Sequence, residues 1–429
     1  MKTTLLSIAI KAQTHPMHRF QNLYGMLDSE FLTQSWGQLN KKAAAGIDGI
    51  SIAKYQSKLP ENIQRLTQQL RNKSFRAADI KRVFIPKANG KQRPLGLPTV
   101  DDKLVQQGVS QILQNIWEQD FLPNSYGYRP NKSAHKAVHS LRLNLQFKGY
   151  GYIVEADIKG FFDNMNHDWL MRMLEQRIDD KSLLGLIKQW LKARIKSPDG
   201  CFHKPESGTP QGGVISPVLA NIYLHYALDL WFEKTVKPRM KGRAMLIRYA
   251  DDFVVAFQYG IDADNFYRVL PRRLNKFGLS VAPEKTHLKR FSRFHPGRKR
   301  NFQFLGFEFY WSLDANRKPI VRRYTAPKKL KMAMSEFYQW IKFNRSRPLK
   351  ETMPILKRKL MGFQNYFGLP DNSRSLSRLS HYVVRSLYKW LNRRSQRRSY
   401  NWSSFTDMLG YFKIEPLKVS KRSIPVDWY

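Results

Sequence analysis

Leu246-Ile247-Arg248-Tyr249-Ala250-Asp251-Asp252-Phe253-Val254-Val255-Ala256-Phe257 decides how the rest of the chain is read. Two short apolar runs, Met245 to Tyr249 and Phe253 to Phe257, flank a break in hairpin fashion. Two adjacent aspartates stand at its tip. Neighbouring carboxylates repel one another unless a cation lies between or beside them. A single Asp in a turn is ordinary, because its side chain can bond its own backbone; a pair has no comparable structural reason. The pair reads as a candidate metal-ligand set.

Working outward, Tyr152-Ile153-Val154-Glu155-Ala156 is another short apolar strand, and it runs directly into Asp157. A carboxylate leaving a buried strand is costly unless it meets a cation or hydrogen-bond donors. Three carboxylates from two strand ends can hold two hard divalent cations, which take oxygen ligands. Such a pair can activate an attacking hydroxyl and stabilise a leaving pyrophosphate. Taken alone, the less favoured reading is that Asp157 caps the helix or turn that follows it.

The surrounding elements mix helices with antiparallel strands. Residues 1–80 read as helices, with helical spacing from Asn62 to Leu70. A strand–turn–strand pattern follows, Lys81 to Pro86 and Arg93 to Leu97, turning at Asn89-Gly90. Helical patterns then run from Asp101 to Asp120 and from His167 to about Ile195. This irregular order predicts an α+β fold rather than a doubly wound sheet.

The 429 residues carry 74 Lys and Arg against 33 Asp and Glu, a formal charge of +41 and a pI near 10.3. That much positive charge on a folded chain implies a polyanionic partner, and nucleic acid is the expected one. A hydrophobic content of 42% and an aromatic content of 13% exclude a mostly disordered protein. The lone Cys201 excludes an internal disulfide and any zinc site built on paired thiolates. The apolar run in Met1 to Ile10 is broken by Ser7 and closed by Lys11, too short for a secretory core, and no later stretch reaches membrane-spanning length. A cytoplasmic location and no membrane partner are expected.

One further block completes a recognisable set. Asp157 with Phe162 five residues on, then Thr209-Pro210-Gln211-Gly212-Gly213-Val214-Ile215-Ser216-Pro217, then Tyr249-Ala250-Asp251-Asp252, resemble in this order the palm of reverse transcriptases. The resemblance implies a right-hand polymerase with fingers, palm and thumb. Asp157, Asp251 and Asp252 would be catalytic, binding two Mg²⁺ together with the backbone carbonyl of Ile158; Mn²⁺ is a possible substitute. Phe162 would lie under the sugar and clash with a ribose 2′-hydroxyl, favouring deoxynucleotides; on residues alone it could be an ordinary core aromatic. Gln211 would contact the incoming nucleotide, with Gly212 and Gly213 letting backbone approach closely.

The stretch Ile85-Pro86-Lys87-Ala88-Asn89-Gly90-Lys91-Gln92-Arg93-Pro94-Leu95-Gly96 places three cations around a tight turn. Fixed positive charge suits a triphosphate, although a basic turn can also be merely solvated. The turn resembles the finger hairpin of group II intron enzymes, which makes Lys87, Lys91 and Arg93 dNTP-binding candidates. Arg93 stands first because a guanidinium can grip phosphate with two bonds. Ser125-Tyr126-Gly127-Tyr128-Arg129-Pro130-Asn131-Lys132-Ser133-Ala134 interleaves aromatics with cations, a mixture suited to stacking and charge neutralisation along a template. Tyr128, Arg129 and Lys132 are its nucleic-acid candidates. The blocks Gly278 to Thr286 and Phe302 to Phe309 resemble the closing parts of the palm, the second as a primer-supporting hairpin.

From Val321 to Tyr429 there are 24 Lys and Arg against 6 Asp and Glu, in a helical pattern punctuated at Pro348, Pro354 and Gly368 to Asn372. Gly362-Phe363-Gln364-Asn365-Tyr366-Phe367 resembles the thumb, or maturase, region. There Arg374, Arg378, Arg385, Lys389, Arg393, Arg394, Arg397 and Arg398 would track template–primer or intron RNA. An N-terminal extension ending in Gly46-Ile47-Asp48-Gly49-Ile50, together with Ser216-Pro217, points to the group II intron branch. The expected division is an extension and start of fingers over 1–80, fingers and palm over 81–320, thumb/maturase over 321–400 and a short tail over 401–429. With one Cys and few residues beyond the arginine cluster, no HNH endonuclease is expected, as in compact bacterial intron proteins.

The resemblance thus implies an RNA-directed DNA polymerase that extends a 3′-hydroxyl primer with dNTPs. It also implies a maturase that binds group II intron RNA and acts with target DNA in retrohoming, as a ribonucleoprotein at the bacterial nucleoid. Two alternatives stay open: a host-adopted relative working in DNA repair or phage defence, and a non-catalytic RNA-binding splicing cofactor. All three aspartates, Phe162 and Gln211 are present, so nothing in the sequence supports the second.

Overall fold

A computed structural model describes residues 3–86, 90, 92–294, 297–397 and 399–420. The chain forms two compact units, one built from 1–133, 156–253 and 264–286, the other from 134–155, 254–263 and 287–429. Among the described residues no helix is long and apolar enough to cross a membrane.

The first unit is organised around helix α5 (Val100–Trp117), which follows α1 (Leu5–Thr14), α2 (Ser29–Gln38), α3 (Ile52–Gln56) and α4 (Leu59–Arg71). Leu104, Val105, Val109, Ile112, Leu113 and Ile116 of α5 are all fully buried. This all-round burial is the mark of a central helix rather than a surface one. Its start is set by Thr99, whose side chain accepts from the Asp102 backbone N–H. Asp102 is itself buried, and it accepts from the Thr99 hydroxyl, the Trp190 indole and the Ala78 backbone N–H. Burial holds the Asp102 carboxyl above its ordinary pKa, and these bonds pull it partly back.

Strands β1 (Ile80–Pro86) and β2 (Gln92–Leu97) pair antiparallel from Lys81↔Leu97 to Pro86↔Gln92, as the sequence pattern predicts. They share a sheet with two short strands of order β2-β1-β4-β5, where β4 is Ile195–Lys196 and β5 is Phe202–His203. The single helix expected from His167 to Ile195 is instead two, α8 (His167–Leu174) and α9 (Lys181–Lys192). Asp180 divides them: its carboxylate caps α9 by accepting from the Ser182 and Leu183 backbone N–H groups. Ile195 lies beyond both helices and pairs parallel with Ile80.

Strands β3 (Tyr152–Asp157), β6 (Ala244–Tyr249), β7 (Asp252–Phe257) and β8 (His287–Arg290) form the sheet that carries the acidic residues, in the order β6-β7-β3-β8. Each unit takes part of β3 and of β7, and the aspartate-bearing ends of both strands belong to the first.

The second unit has its own sheet, β11-β10-β9, from β9 (Gly297–Phe304), β10 (Phe307–Leu313) and β11 (Pro319–Thr325). Leu305 and Gly306 both have positive φ, the conformation of a two-residue hairpin turn, and Phe304 faces Phe307 across it. Phe302 and Phe309 stack face to face, ring centroids 4.9 Å apart. Strand β11 continues past residue 320, so the helical region begins at α12 (Pro327–Asn344) rather than at Val321. With α13 (Leu349–Phe367), α14 (Ser373–Leu391) and α15 (Trp402–Tyr411) it encloses a separate apolar core. Leu376, Leu379, Val383, Leu387 and Leu391 supply the α14 stripe. Phe405 of α15 is fully buried in the same core, so residues read from sequence as a tail are structural as far as that helix.

Candidate active site

Asp157 closes β3, Asp251 stands in the β6–β7 turn and Asp252 opens β7. The side chains of Asp157 and Asp252 adjoin, and the charges of Asp157 and Asp251 both bear on Asp252. Asp252 is open to solvent on one side, yet its carboxyl is pushed up to about 7. Crowding by the packed surroundings is the first cause, and the two neighbouring carboxylates come next. Asp251 is raised too, by burial and then by Asp157, while Arg93 and Lys285 oppose the rise. The sequence argument requires the three acidic groups to meet, and the structure brings them together.

One ammonium partly balances them. Lys285 hydrogen-bonds the Asp157 carboxylate, and that bond raises the lysine's own pKa. Lys285 stands in the Gly278–Thr286 block, where the sequence gives it no role of its own. Its signal there is a lone cation after Pro283-Glu284, and a lysine in so basic a chain does not stand out.

Among the described residues no three His, Cys, Asp or Glu side chains close into a finished metal cage. The arrangement is open: Asp157 is bonded to Lys285 and adjoins Asp252, with Asp251 in electrostatic reach. Crowded carboxylates, with Asp251 and Asp252 raised and Lys285 the one ammonium on them among the described residues, fit hard divalent cations, which take oxygen ligands and relieve this repulsion. Ile158 is buried and bridges to Val281. The bonds on either side, Lys159 N–H to Ser280 O and Ala282 N–H to Asp157 O, both 2.8 Å, do not use the Ile158 carbonyl.

The nucleotide candidates also converge in part. The Arg93 Nε donates to Gln211 Oε1 at 2.7 Å, and the Gly96 N–H donates to the Gln211 carbonyl at 2.6 Å. Gly212 holds φ +112°, and a Cβ there would lie 2.6 Å from the Gly96 carbonyl oxygen, so the loop presses β2 closely only as glycine. Phe162 is buried and packs edge-on against Phe161. Together with Pro94, Gly208, Thr209 and Gln211 it lines a small cavity. Lys87 and Lys91 lie outside the described residues.

Tyr128 has positive φ and is half-exposed beside Asp251 and Asp252. Arg129 corrects the sequence reading. Its guanidinium bonds both Glu118 oxygens and the Leu122 and Ser125 carbonyls, and its side chain is only 6% exposed. Four of its five N–H donors are thus committed inside the protein, so this buried guanidinium holds a loop rather than standing free for phosphate. Lys132 stands 5.1 Å over the Tyr126 ring.

In the second unit Arg374, Arg378, Arg385 and Lys389 are exposed along α14. Spacings of four, seven and four residues place them on one face, opposite the buried leucines. Arg393 and Arg397 are also exposed, whereas half-buried Arg394 bonds the Leu391 carbonyl at the end of α14. Arg398 lies outside the described residues.

Residues 85–309 match the family described as reverse transcriptase (RNA-dependent DNA polymerase), and residues 330–405 match the group II intron maturase-specific domain. Protein YkfC of Escherichia coli (strain K12) is 33% identical over 280 residues, 58% of this chain and 73% of YkfC. The group II intron-encoded protein LtrA of Lactococcus lactis subsp. cremoris is 42% identical over 166 residues, 38% of this chain and 27% of LtrA. Nuclear intron maturase 1 of Arabidopsis thaliana is 30% identical over 95 residues, 22% of this chain and 13% of that protein. The matched part of LtrA is thus about a quarter of its length. With a reverse transcriptase domain over half the chain and a maturase-specific segment behind it, this chain belongs to the reverse transcriptases of the group II intron type.

Proposed function

We propose that the chain copies RNA into DNA by extending a primer, and that the same molecule binds a group II intron RNA as a maturase. The observation that carries the polymerase reading is the convergence of Asp157, Asp251 and Asp252, three carboxylates brought together from two strand ends. Asp157, Asp251 and Asp252, with the Ile158 carbonyl, would hold two Mg²⁺, for which Mn²⁺ could substitute. Bound there, the ions supply charge stabilisation for in-line attack of a primer 3′-hydroxyl on the α-phosphate of a dNTP. Arg93, tied to Gln211, offers its remaining donors to the triphosphate, with Lys87 and Lys91 on the adjoining turn. Tyr128 would support the template beside the acidic residues, and Lys132 would neutralise its backbone.

The test is primer extension on an RNA template with dNTPs and Mg²⁺, run beside Asp251→Ala. Phe162 carries a separate expectation. If it lies under the sugar, Phe162→Val opens room for a 2′-hydroxyl, and ribonucleotide incorporation rises by about tenfold or more, equivalent to roughly 1–3 kcal/mol of pocket discrimination. Measured kcat/KM ratios for dNTP over rNTP that match the parent's would remove Phe162 as the sugar gate.

We assign fingers and palm to 81–326, preceded by an extension, and the thumb/maturase region to the helical core of α12 to α15, 327–411. The α14 face of Arg374, Arg378, Arg385 and Lys389 would track template–primer or intron RNA, and retrohoming would add target DNA. Each cation that neutralises a phosphate releases counterions, so RNA affinity should fall steeply with salt. Replacing the four by Gln should flatten the slope of log K against log [salt] by about three to four. An unchanged slope in a filter-binding titration would move the RNA to another face.

A further inference from the structure

Beneath the aspartate turn lies a buried ion pair that the chemistry above does not use. Arg248, on β6, is fully buried, and its guanidinium grips Asp229 with two bonds, Nε to Oδ1 at 2.8 Å and Nη2 to Oδ2 at 2.6 Å. The remaining nitrogen, Nη1, donates to Asn221 Oδ1 and to the Ala250 carbonyl, both at 3.1 Å. Apolar residues of similar volume often serve stability as well as a buried ion pair does, so stability alone gives no reason for this one. Its geometry gives another.

The carbonyl that Arg248 holds belongs to Ala250, the residue immediately before Asp251. Ala250 has φ +55°, a left-handed conformation that side-chain-bearing residues adopt rarely and at a cost. Asn221 reaches the other way, its Nδ2 donating to the Gly127 carbonyl at 2.7 Å. Gly127 is packed so closely on Ala250 that a Cβ would lie 2.4 Å from the Ala250 nitrogen. Asp229 and Asn221 come from one continuous stretch of helix, α10 (Ser216–Leu224) followed by a π-helical turn at His225–Asp229. Wide turns of this kind are rare and cluster at functional sites. One guanidinium therefore ties this helix and the Gly127 segment to the turn that presents both aspartates.

We infer that Arg248, with Asp229 and Asn221, is the positioning device of the catalytic turn, fixing the Ala250 carbonyl and so the aim of Asp251 and Asp252. The inference rests on the reading that those aspartates hold divalent cations. Its test uses the full chain and the double variant Arg248→Met/Asp229→Leu, which removes both charges and leaves neither unpaired. Mn²⁺ binding is followed by electron paramagnetic resonance without nucleic acid or dNTP, and kcat and KM for dTTP are measured on an oligo(dT)-primed poly(rA) template.

The expected result is a cooperative thermal transition and RNA affinity like the parent's, with Mn²⁺ affinity and kcat each down about ten- to a hundredfold, as for other groups that orient metal ligands. KM for dTTP should stay within about twofold of the parent's, since no nucleotide contact is removed. Arg248→Lys should restore part of the loss, because lysine can pair with Asp229 but cannot fork to three acceptors. Asn221→Leu keeps the ion pair and cuts the tie to Gly127; it should lower Mn²⁺ affinity in the same direction, and it decides the matter if the double variant does not fold. Parent-like Mn²⁺ binding and extension in the folded double variant, or in Asn221→Leu should the double variant be unfolded, overturn the inference. A parent whose Mn²⁺ binding is indifferent to Asp251→Ala instead removes the metal reading beneath it.

Discussion

Asp251→Ala should abolish primer extension, by at least about a thousandfold in kcat, which corresponds to about 4 kcal/mol of transition-state stabilisation. The size follows from the crowding that the structure records. Asp251 and Asp252 are both held above the ordinary carboxylate range, chiefly by packed surroundings and then by Asp157, with Asp251 also acting on Asp252. Lys285 is the ammonium bonded to Asp157. Removing Asp251 deletes an oxygen donor from the cation site and changes little in the fold, because the residue lies in a turn rather than in a core. RNA affinity should therefore stay at the parent's level and the thermal midpoint should not fall; relief of like-charge repulsion can even raise it. A quenched-flow measurement showing extension within tenfold of the parent would place the chemistry elsewhere. Loss of RNA binding in the same variant would mean that Asp251 holds structure rather than metal.

What can be read from the residues, and what cannot, separates by the range of the forces involved. The acidic turn is legible because its signal is local: two apolar strands, a break and an Asp pair, with Asp157 at the end of a third strand. The β1–β2 hairpin is legible for the same reason. Arg129 misleads because a cation among aromatics suits phosphate and a buried carboxylate equally well. The deciding partner, Glu118, sits on the segment just after α5 and cannot be identified from the Tyr126–Lys132 motif. Asp180 reads as one acidic residue within a helical pattern, although an Asp whose side chain accepts from the next backbone N–H groups is a helix start. The α15 helix falls in a stretch too short to show its period, and only its contacts with α14 reveal that Phe405 belongs to a core. Arg248 reads simply as a strand residue. Its function depends on Asp229 and Asn221, which a helix of different pitch delivers, and no sequence pattern announces that pairing.

Gly127→Ala should cost about a hundredfold in kcat without touching any acidic residue. A Cβ at 127 would stand 2.4 Å from the Ala250 nitrogen, 3.0 Å from the Tyr249 carbonyl carbon and 3.1 Å from the Ala250 Cα. All three are backbone atoms, so no rotamer change relieves the contact. Retreat of the Gly127 segment is resisted on its own side: the Tyr126 N–H bonds the Arg248 carbonyl at 2.8 Å, and Asn221 holds the Gly127 carbonyl at 2.7 Å. The turn at 249–251 is then the part that gives, and a displacement of about 1 Å at reacting groups is enough for a hundredfold loss. The loss should appear in kcat, with dNTP KM and RNA affinity near the parent's, because Arg93, Gln211 and the α14 face stay where they are. Gly185→Ala is the matched control. Gly185 lies inside α9, and a Cβ added there would meet nothing within 4 Å, so alanine should stabilise by about 0.5–1 kcal/mol and leave extension unchanged. Equal activity in the two alanine variants would show that the close approach at Gly127 does not govern the aspartate turn.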